Sequence, residues 1–420
     1  VSPWKSNGLD ESLAQGAFIV KAFCLPMVPL LDVNAQNHPL ESELQAAFNQ
    51  VLKHGRFIMG PEMEIFEKEV TAMTGAKHAL AVSSGTDALL LALMALNIQP
   101  GDEVLCPAFT FFATAGAVSR LGAVPVFTDI CPICFNIDIN DARRKVTTQT
   151  KAIIPVHLFG QCADMDPILS LAAEHGLKVV EDAAQSIGAA YKGRQSGTMG
   201  HFGTYSFFPS KNLGGFGDGG MLVTNDDELA EFARVLRVHG SKPKYYHHYV
   251  GGNFRMDTLQ CALLSVKVKR YAQYTADRQR NAAHYTAALS KLPGIALADP
   301  AHCKCAAAQS AALAAQGTQI VLPVGYSHNT HIWNQYTLRV LGAGKRDALK
   351  DHLLAKKIGC EVYYPVTLDQ QQCFATLPAS SRSGCEVSHQ LAGEVLSIPI
   401  YGELTEAQRD EVIAAIAEWL

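Results

Sequence analysis

The stretch SFFPSKNLGGFGDGG, residues 206–220, sets a single lysine, Lys211, ahead of a run of glycines. A Walker A loop needs its glycines before the lysine, as GxxxxGK[ST], and here they follow it. GFGDGG (215–220) fits the spacing GxGxxG, but the next residues, MLVTND, are strand-like where a dinucleotide site needs a helix. A lysine on a surface turn remains the plain alternative. Against it, the flanking YSFFPS is apolar, and partial burial lowers a lysine's pKa and makes its amine a nucleophile toward carbonyls.

Outward from this stretch, apolar strand-like runs alternate with helical patterns: HALAVS (78–83), DEVLCP (102–107), VPVFTDI (124–130), KAIIPVHL (151–158), LKVVEDAA (177–184), GTYSFF (203–208) and GMLVTND (220–226). Such alternation predicts an α/β fold with a mostly parallel seven-stranded sheet between helices, and ligands at the carboxyl ends of its strands. A long helical stretch is expected from about 256 to 292. WNQYTLRV (333–340), CEVYYPV (360–366) and an amphipathic helix from Glu406 read as a smaller α+β domain. The expected division is 1–26 as an extension that need not be native, 27–290 as the large domain and 291–420 as the small one.

In AVSSGTDALLLALMAL (81–96) a strand runs into a helix that is apolar on nearly every face and must be buried. The amides of Gly85 and Thr86 and the positive end of the helix suit a phosphate, though a plain cap by Ser84 or Thr86 explains the same residues. In VVEDAAQSIGA (179–189), Glu181 and Asp182 end an apolar strand, where carboxylates are costly unless paired. Asp182 could hold a protonated ring nitrogen or cap the next segment, and Gln185 could serve the same ligand. An anion cradle, a strand-end carboxylate and a lysine 29 residues later form the set that pyridoxal 5′-phosphate (PLP) requires.

With SSGTDAL (83–89), PAFTFFATA (107–115), PVHLFGQCADMD (155–166), VEDAAQSIGA (180–189), SFFPSKNLGGFGDGG and GGNFRMDTLQCALL (251–264), the chain from about Val28 onward resembles the DegT/StrS family of sugar aminotransferases, on the type I aspartate-aminotransferase fold. The resemblance implies Lys211 as the Schiff-base lysine, Asp182 as partner of the pyridine nitrogen, Gln185 near the phenolic oxygen and Phe111 stacked on the ring. It implies a phosphate cup of Gly85, Thr86 and Ser206, completed by Asn253 from a second subunit, hence a homodimer. Family members with a histidine in place of the lysine are dehydratases; Lys211 therefore implies transamination. The amine would pass from L-glutamate to a keto sugar on a nucleotide. The similarity is greatest to the branch acting on 3-oxo sugars of UDP or dTDP, including UDP-2-acetamido-3-oxo-glucuronate. There Arg255 would meet the substrate's acidic group, an interface ion pair being its alternative, and Tyr364 would lie near the sugar. Tyr363 departs from the pattern, since relatives often have histidine there. A nucleotide 4-keto-6-deoxysugar aminotransferase, another PLP enzyme on this fold and a regulatory protein are the rival assignments. A PLP lyase or acyltransferase would need an arginine for its amino-acid carboxylate, with Arg339 and Arg346 as candidates.

A net charge of −4 with no long run of one sign implies neither a nucleic-acid footprint nor a polybasic membrane patch. GAFIVKAFCLPMVPLL (16–31) is broken by Lys21, Pro26 and Pro29 and is not expected to anchor the chain. The 11 cysteines read as scattered reduced thiols of a cytoplasmic protein, and HCKC (302–305) as incidental, so no metal is expected. His247 and His248 read as surface residues that could touch substrate. The alanine-rich 303–319 has no assigned role.

Overall fold

The computed structural model describes residues 27–299 and 315–420. The expected extension 1–26, the HCKC stretch and the alanine-rich segment up to residue 314 lie outside the described residues.

The seven sequence runs form one sheet: β1 (His78–Val82), β2 (Glu103–Pro107), β3 (Val124–Thr128), β4 (Thr150–Ile153), β5 (Lys178–Asp182), β6 (Phe202–Ser206) and β7 (Gly220–Thr224). Their order is β1-β7-β6-β5-β4-β2-β3. Neighbours run parallel except β7, which is antiparallel to both β1 and β6. Side chains alternate across a strand. Thus Leu80 and Val82 enter one core while Ala79 and Ala81 enter the core on the opposite face. Val180 and Val179 divide between faces in the same way. Helices cover both faces, which is why these strands read as nearly continuous apolar runs.

Helix α1 (Gly85–Ala95) follows β1 and buries Ala88, Leu89, Leu91, Ala92, Leu93 and Ala95, as its apolar circumference requires. Helix α2 (Ala113–Arg120) follows β2. The long helical stretch expected from 256 to 292 is two helices, α3 (Thr258–Val268) and α4 (Tyr271–Leu289). They are divided at Arg270, whose amide bonds three residues back to Lys267. The break lets the two serve different cores: Cys261 and Leu264 of α3 pack with strands β1 and β7, whereas Tyr285 and Leu289 of α4 pack beneath a second sheet.

That second sheet has four strands, β8 (Ile295–Leu297), β9 (Ile320–Leu322), β10 (Tyr336–Val340) and β11 (Val395–Ile398), in sequence order. The run 360–366 adds only an isolated bridge between Glu361 and Ser397. Past it the chain leaves the sheet at Pro365, which has no amide to pair, and Tyr364 is left against Gln185, just past the end of β5 in the seven-stranded sheet. The last helix, α5 (Glu406–Trp419), starts at a capping box in which the Thr405 hydroxyl and the Gln408 side chain satisfy each other's backbone.

Candidate active site

The carboxyl ends of β1, β5 and β6 lie along one edge of the sheet, and each delivers a residue expected from the sequence. After β1, the Ser84 hydroxyl caps the amide of Asp87 at 3.0 Å. The cap leaves room for an anion, because the amides of Gly85 and Thr86 at the first turn have no partner within the helix. The loop is closely seated. A Cβ on Gly85 would come within 2.8 Å of Ser206 Cβ, and one on Gly220 within 2.7 Å of the Gly85 nitrogen. Ser206 therefore stands directly against the helix start, and a cradle of glycine backbone, Thr86 and Ser206 results.

At the end of β5 the two adjacent carboxylates part company, as strand alternation demands. Glu181 turns into the domain, where it accepts from the amides of Gly197 (2.8 Å), Met199 (2.6 Å) and Gly200 (2.6 Å) and pairs with His157 at 2.8 Å. His157 Nδ1 accepts from the Ala163 amide, so its proton sits on Nε2 and is donated to Glu181. Asp182 turns to the cleft. Its partners are the Thr114 hydroxyl at 2.8 Å and the Ala184 amide at 3.2 Å. The segment 183–188 that follows is a series of turns, not a helix, so Asp182 is no helix cap. Burial raises the Asp182 pKa against the opposing pull of these hydrogen bonds and of the Lys211 charge. A buried carboxylate so placed favours a bound cation, such as a protonated pyridine nitrogen.

Lys211 lies past β6 on a loop closed by two backbone bonds, its own amide to Phe208 O (2.8 Å) and Gly215 to Phe207 O (2.7 Å). Gly220 opens strand β7, so the GxGxxG spacing has no helix behind it. The Lys211 side chain keeps some surface open to the cleft. Packing around its ammonium nevertheless pushes its pKa down to about 8, with Asp182 opposing. In the cofactor-free protein, the rate of Lys211 capture by pyridoxal and borohydride is expected to rise with a midpoint near pH 8. A midpoint at the ordinary lysine value would show a solvated amine, and Lys211→Ala supplies the background rate.

Gln185 is fixed by accepting from the Phe159 amide (2.7 Å) and donating to the Tyr364 hydroxyl (3.2 Å). Phe111 is 57% exposed at the cleft mouth, its ring centroid 6.3 Å from that of Tyr364. Arg255 pairs its backbone with Val82 at the end of β1, and its buried Nε has no hydrogen-bond partner among the described residues. Asn253, two residues earlier, is exposed and pairs its backbone with Val238. Arg339 and Arg346 are already engaged, Arg339 with Glu394 (2.8 Å) and Pro132 O, Arg346 with Asp347 (2.6 Å) and two backbone carbonyls.

Two features lie outside the expectations drawn from the sequence. Thr114 is an ordinary helix residue until β2 and β5 become neighbours of β4; only its place in PAFTFFATA hints at a role. The expectation of scattered cysteines overlooks Cys131-Pro-Ile-Cys134, whose turn is tightened by the Ile133 amide on Cys131 Sγ (3.4 Å). Among the described residues, no group of three or more His, Cys, Asp or Glu could hold a metal ion.

The profile of the DegT/DnrJ/EryC1/StrS aminotransferase family matches residues 39–417. The chain belongs to this family. It is 45% identical to a pleiotropic regulatory protein of Geobacillus stearothermophilus over 93% of this chain and 98% of that protein. It is 41% identical to a UDP-N-acetyl-3-dehydro-α-D-glucosamine 3-aminotransferase of Acidithiobacillus ferrooxidans (93% and 96%), and 37% identical to a UDP-2-acetamido-2-deoxy-3-oxo-D-glucuronate aminotransferase of Pseudomonas aeruginosa (93% and 99%). The solved structure of S. venezuelae DesV, in complex with a ketimine intermediate, superposes with a TM-score of 0.84 at 39% identity, covering 94% of this chain and 98% of that one. This DegT-family chain is thus a PLP-dependent aminotransferase. The cradle at Gly85, the buried Asp182 carboxylate and the softened Lys211 amine fit that cofactor. No helix among the described residues is long and apolar enough to cross a membrane.

Proposed function

We propose that this aminotransferase moves an amino group from L-glutamate to a 3-oxo sugar carried on UDP or dTDP, with a 3-oxo-uronate such as UDP-2-acetamido-3-oxo-glucuronate as the best-fitting acceptor. The observation behind the uronate is Arg255: its backbone pairs with Val82 at the strand end that leads into the cradle, and a buried Nε that lacks a partner among the described residues suits an incoming carboxylate. Two of the relatives are named for UDP-linked 3-oxo sugars, one of them a glucuronate. Neither Arg339 nor Arg346 is available for a substrate carboxylate, which counts against the lyase and acyltransferase alternatives. The regulatory name of one relative finds no support in a chain that keeps both Lys211 and Asp182 in place.

PLP bound here supplies the electron sink that lets a C–N bond be exchanged between two carbons. Gly85, Thr86 and Ser206 would receive its phosphate, and Asp182, steadied by Thr114, would hold a proton on the ring nitrogen. The Lys211 amine would anchor the aldehyde, and with a pKa near 8 it would be suited both to accept and to give back the proton moved during the exchange. Gln185 and Tyr364, hydrogen-bonded to each other, would serve the phenolic oxygen and the sugar. Phe111, at the cleft mouth, would cover the ring and exclude water.

The same reading includes a cytoplasmic homodimer in which Asn253 completes the phosphate cup of the opposite subunit. Its support is a surface around Asn253 that a single chain leaves bare, with Tyr245, Tyr246 and Tyr249 exposed and Val250 91% exposed. Mixing inactive Lys211→Ala and Asn253→Ala subunits is expected to restore about a quarter of wild-type activity, since half the dimers then carry one intact site. No recovery on mixing would place Asn253 in the site of its own chain. For the acceptor, Arg255→Met should raise KM for the 3-oxo-uronate by roughly tenfold or more, the worth of a charged hydrogen bond. KM for the analogue with a hydroxymethyl at C6 should stay unchanged; equal effects on both would assign Arg255 to structure.

A further inference from the structure

Two cations are buried behind the Lys211 loop where apolar residues would pack at less cost. Lys267, on α3, is fully buried, and its ammonium donates to Gly214 O at 2.6 Å and lies 5.4 Å from the Phe216 ring centroid. Arg278, on α4, is 2% exposed and donates to Trp333 O (3.2 Å) and Asn334 O (3.3 Å). Asn334 in turn donates to the side chain of Asn212 at 2.9 Å, and Asn212 to Ile332 O at 3.1 Å. Glu403 lies within electrostatic reach of both cations. The loop is therefore held immediately after Lys211, through Asn212, and again three residues after it, at Gly214. At the second hold and beyond it, Gly214, Gly215 and Gly217 leave the backbone little stiffness of its own.

We propose that Lys267 is a positioning residue for Lys211, its grip on the Gly214 carbonyl fixing the glycine-rich loop so that the Lys211 amine meets the reacting carbon in one geometry. The inference rests on Lys211 being the cofactor's lysine. Proton transfer depends steeply on such placement, and a displacement of about 1 Å costs roughly 100-fold. A methionine at 267 fills the same space but leaves the Gly214 carbonyl buried without its donor, free to turn the loop. A glutamine keeps a neutral donor.

The test uses PLP-reconstituted wild type, Lys267→Met and Lys267→Gln, following the glutamate half-reaction by absorbance. Lys267→Met is expected to slow the single-turnover rate by about 10- to 100-fold. Half-saturation by glutamate should change by less than about threefold, because Lys267 does not touch the substrate. The pH midpoint of the visible band of the lysine-bound cofactor should move, and Lys267→Gln should recover most of the rate. If Lys267→Met yields no folded protein, Asn334→Ala, which releases the loop at Asn212, must show the same split between rate and half-saturation. A wild-type rate and band midpoint in Lys267→Met, even with a lower melting temperature, overturn the inference and leave Lys267 a purely structural residue. A wild type that forms no visible band with PLP would overturn the assignment of Lys211 itself, and this inference with it.

Discussion

Lys211→Ala is expected to abolish transamination, with a loss of more than about 10⁴-fold, the upper range of what one positioned proton carrier supplies. Under the proposed function the same side chain anchors the cofactor and moves the proton, and alanine does neither. The variant should still bind PLP, because the cradle at Gly85, Thr86 and Ser206 and the carboxylate of Asp182 are untouched. The visible band of the lysine-bound cofactor should be missing, and borohydride should fix no cofactor to the protein. Stability is expected to hold or rise, since an amine whose pKa is pushed to about 8 by packing is a group the fold tolerates at a cost. Retained turnover in Lys211→Ala would remove the lysine from the chemistry and return it to a turn beside glycines.

Asp182→Asn has the next largest expected effect, about 10³-fold in turnover, the loss typical of removing one preorganised charge from a reacting system. Its sharper signature is thermodynamic. At a PLP concentration of about 100 times Kd the cofactor stabilises wild type by roughly 2.7 kcal/mol; a Kd raised about 100-fold leaves only about 0.4 kcal/mol at the same concentration. The cofactor-free proteins should behave oppositely. Burial raises the Asp182 pKa above its unfolded value, so between those two values the unfolded chain binds fewer protons and native stability falls as pH rises. Asparagine has no such penalty, so cofactor-free Asp182→Asn should match or exceed wild type at neutral pH. Thermal melts of both proteins, with and without PLP, measure the two effects together. Equal PLP-induced shifts would show that Asp182 does not face the ring nitrogen.

A cavity of about 610 Å³ lies at the opposite edge of the main sheet, beside Lys178, His201 and Asp226. The reactive groups gather instead at the carboxyl ends of the strands, where every parallel strand delivers its next loop to one place. Under the homodimer proposal, that cleft is finished by another copy's Asn253.

Local order in the sequence determined a good deal by itself. Seven nearly continuous apolar runs became the seven strands of the main sheet, because side chains that alternate between two helix-covered faces must be apolar on both. The glycines after Lys211 rule out a Walker A loop from their order alone. Lys211, Asp182 and the Gly85–Thr86 helix start could be named because each chemical demand selects one residue type at a strand end. Tertiary structure decided what depends on residues far apart in the chain. The directions of Glu181 and Asp182, one into four hydrogen bonds and one into the cleft, follow from which face of β5 each occupies. Thr114 reaches Asp182 across 68 positions of sequence. Lys267 finds Gly214 across 53. The break between α3 and α4 places Lys267 and Arg278 on separate supports behind one loop. Such pairs have no spacing to recognise: they exist because the sheet order brings distant segments together, and a buried polar group there must find its partner wherever the fold supplies one.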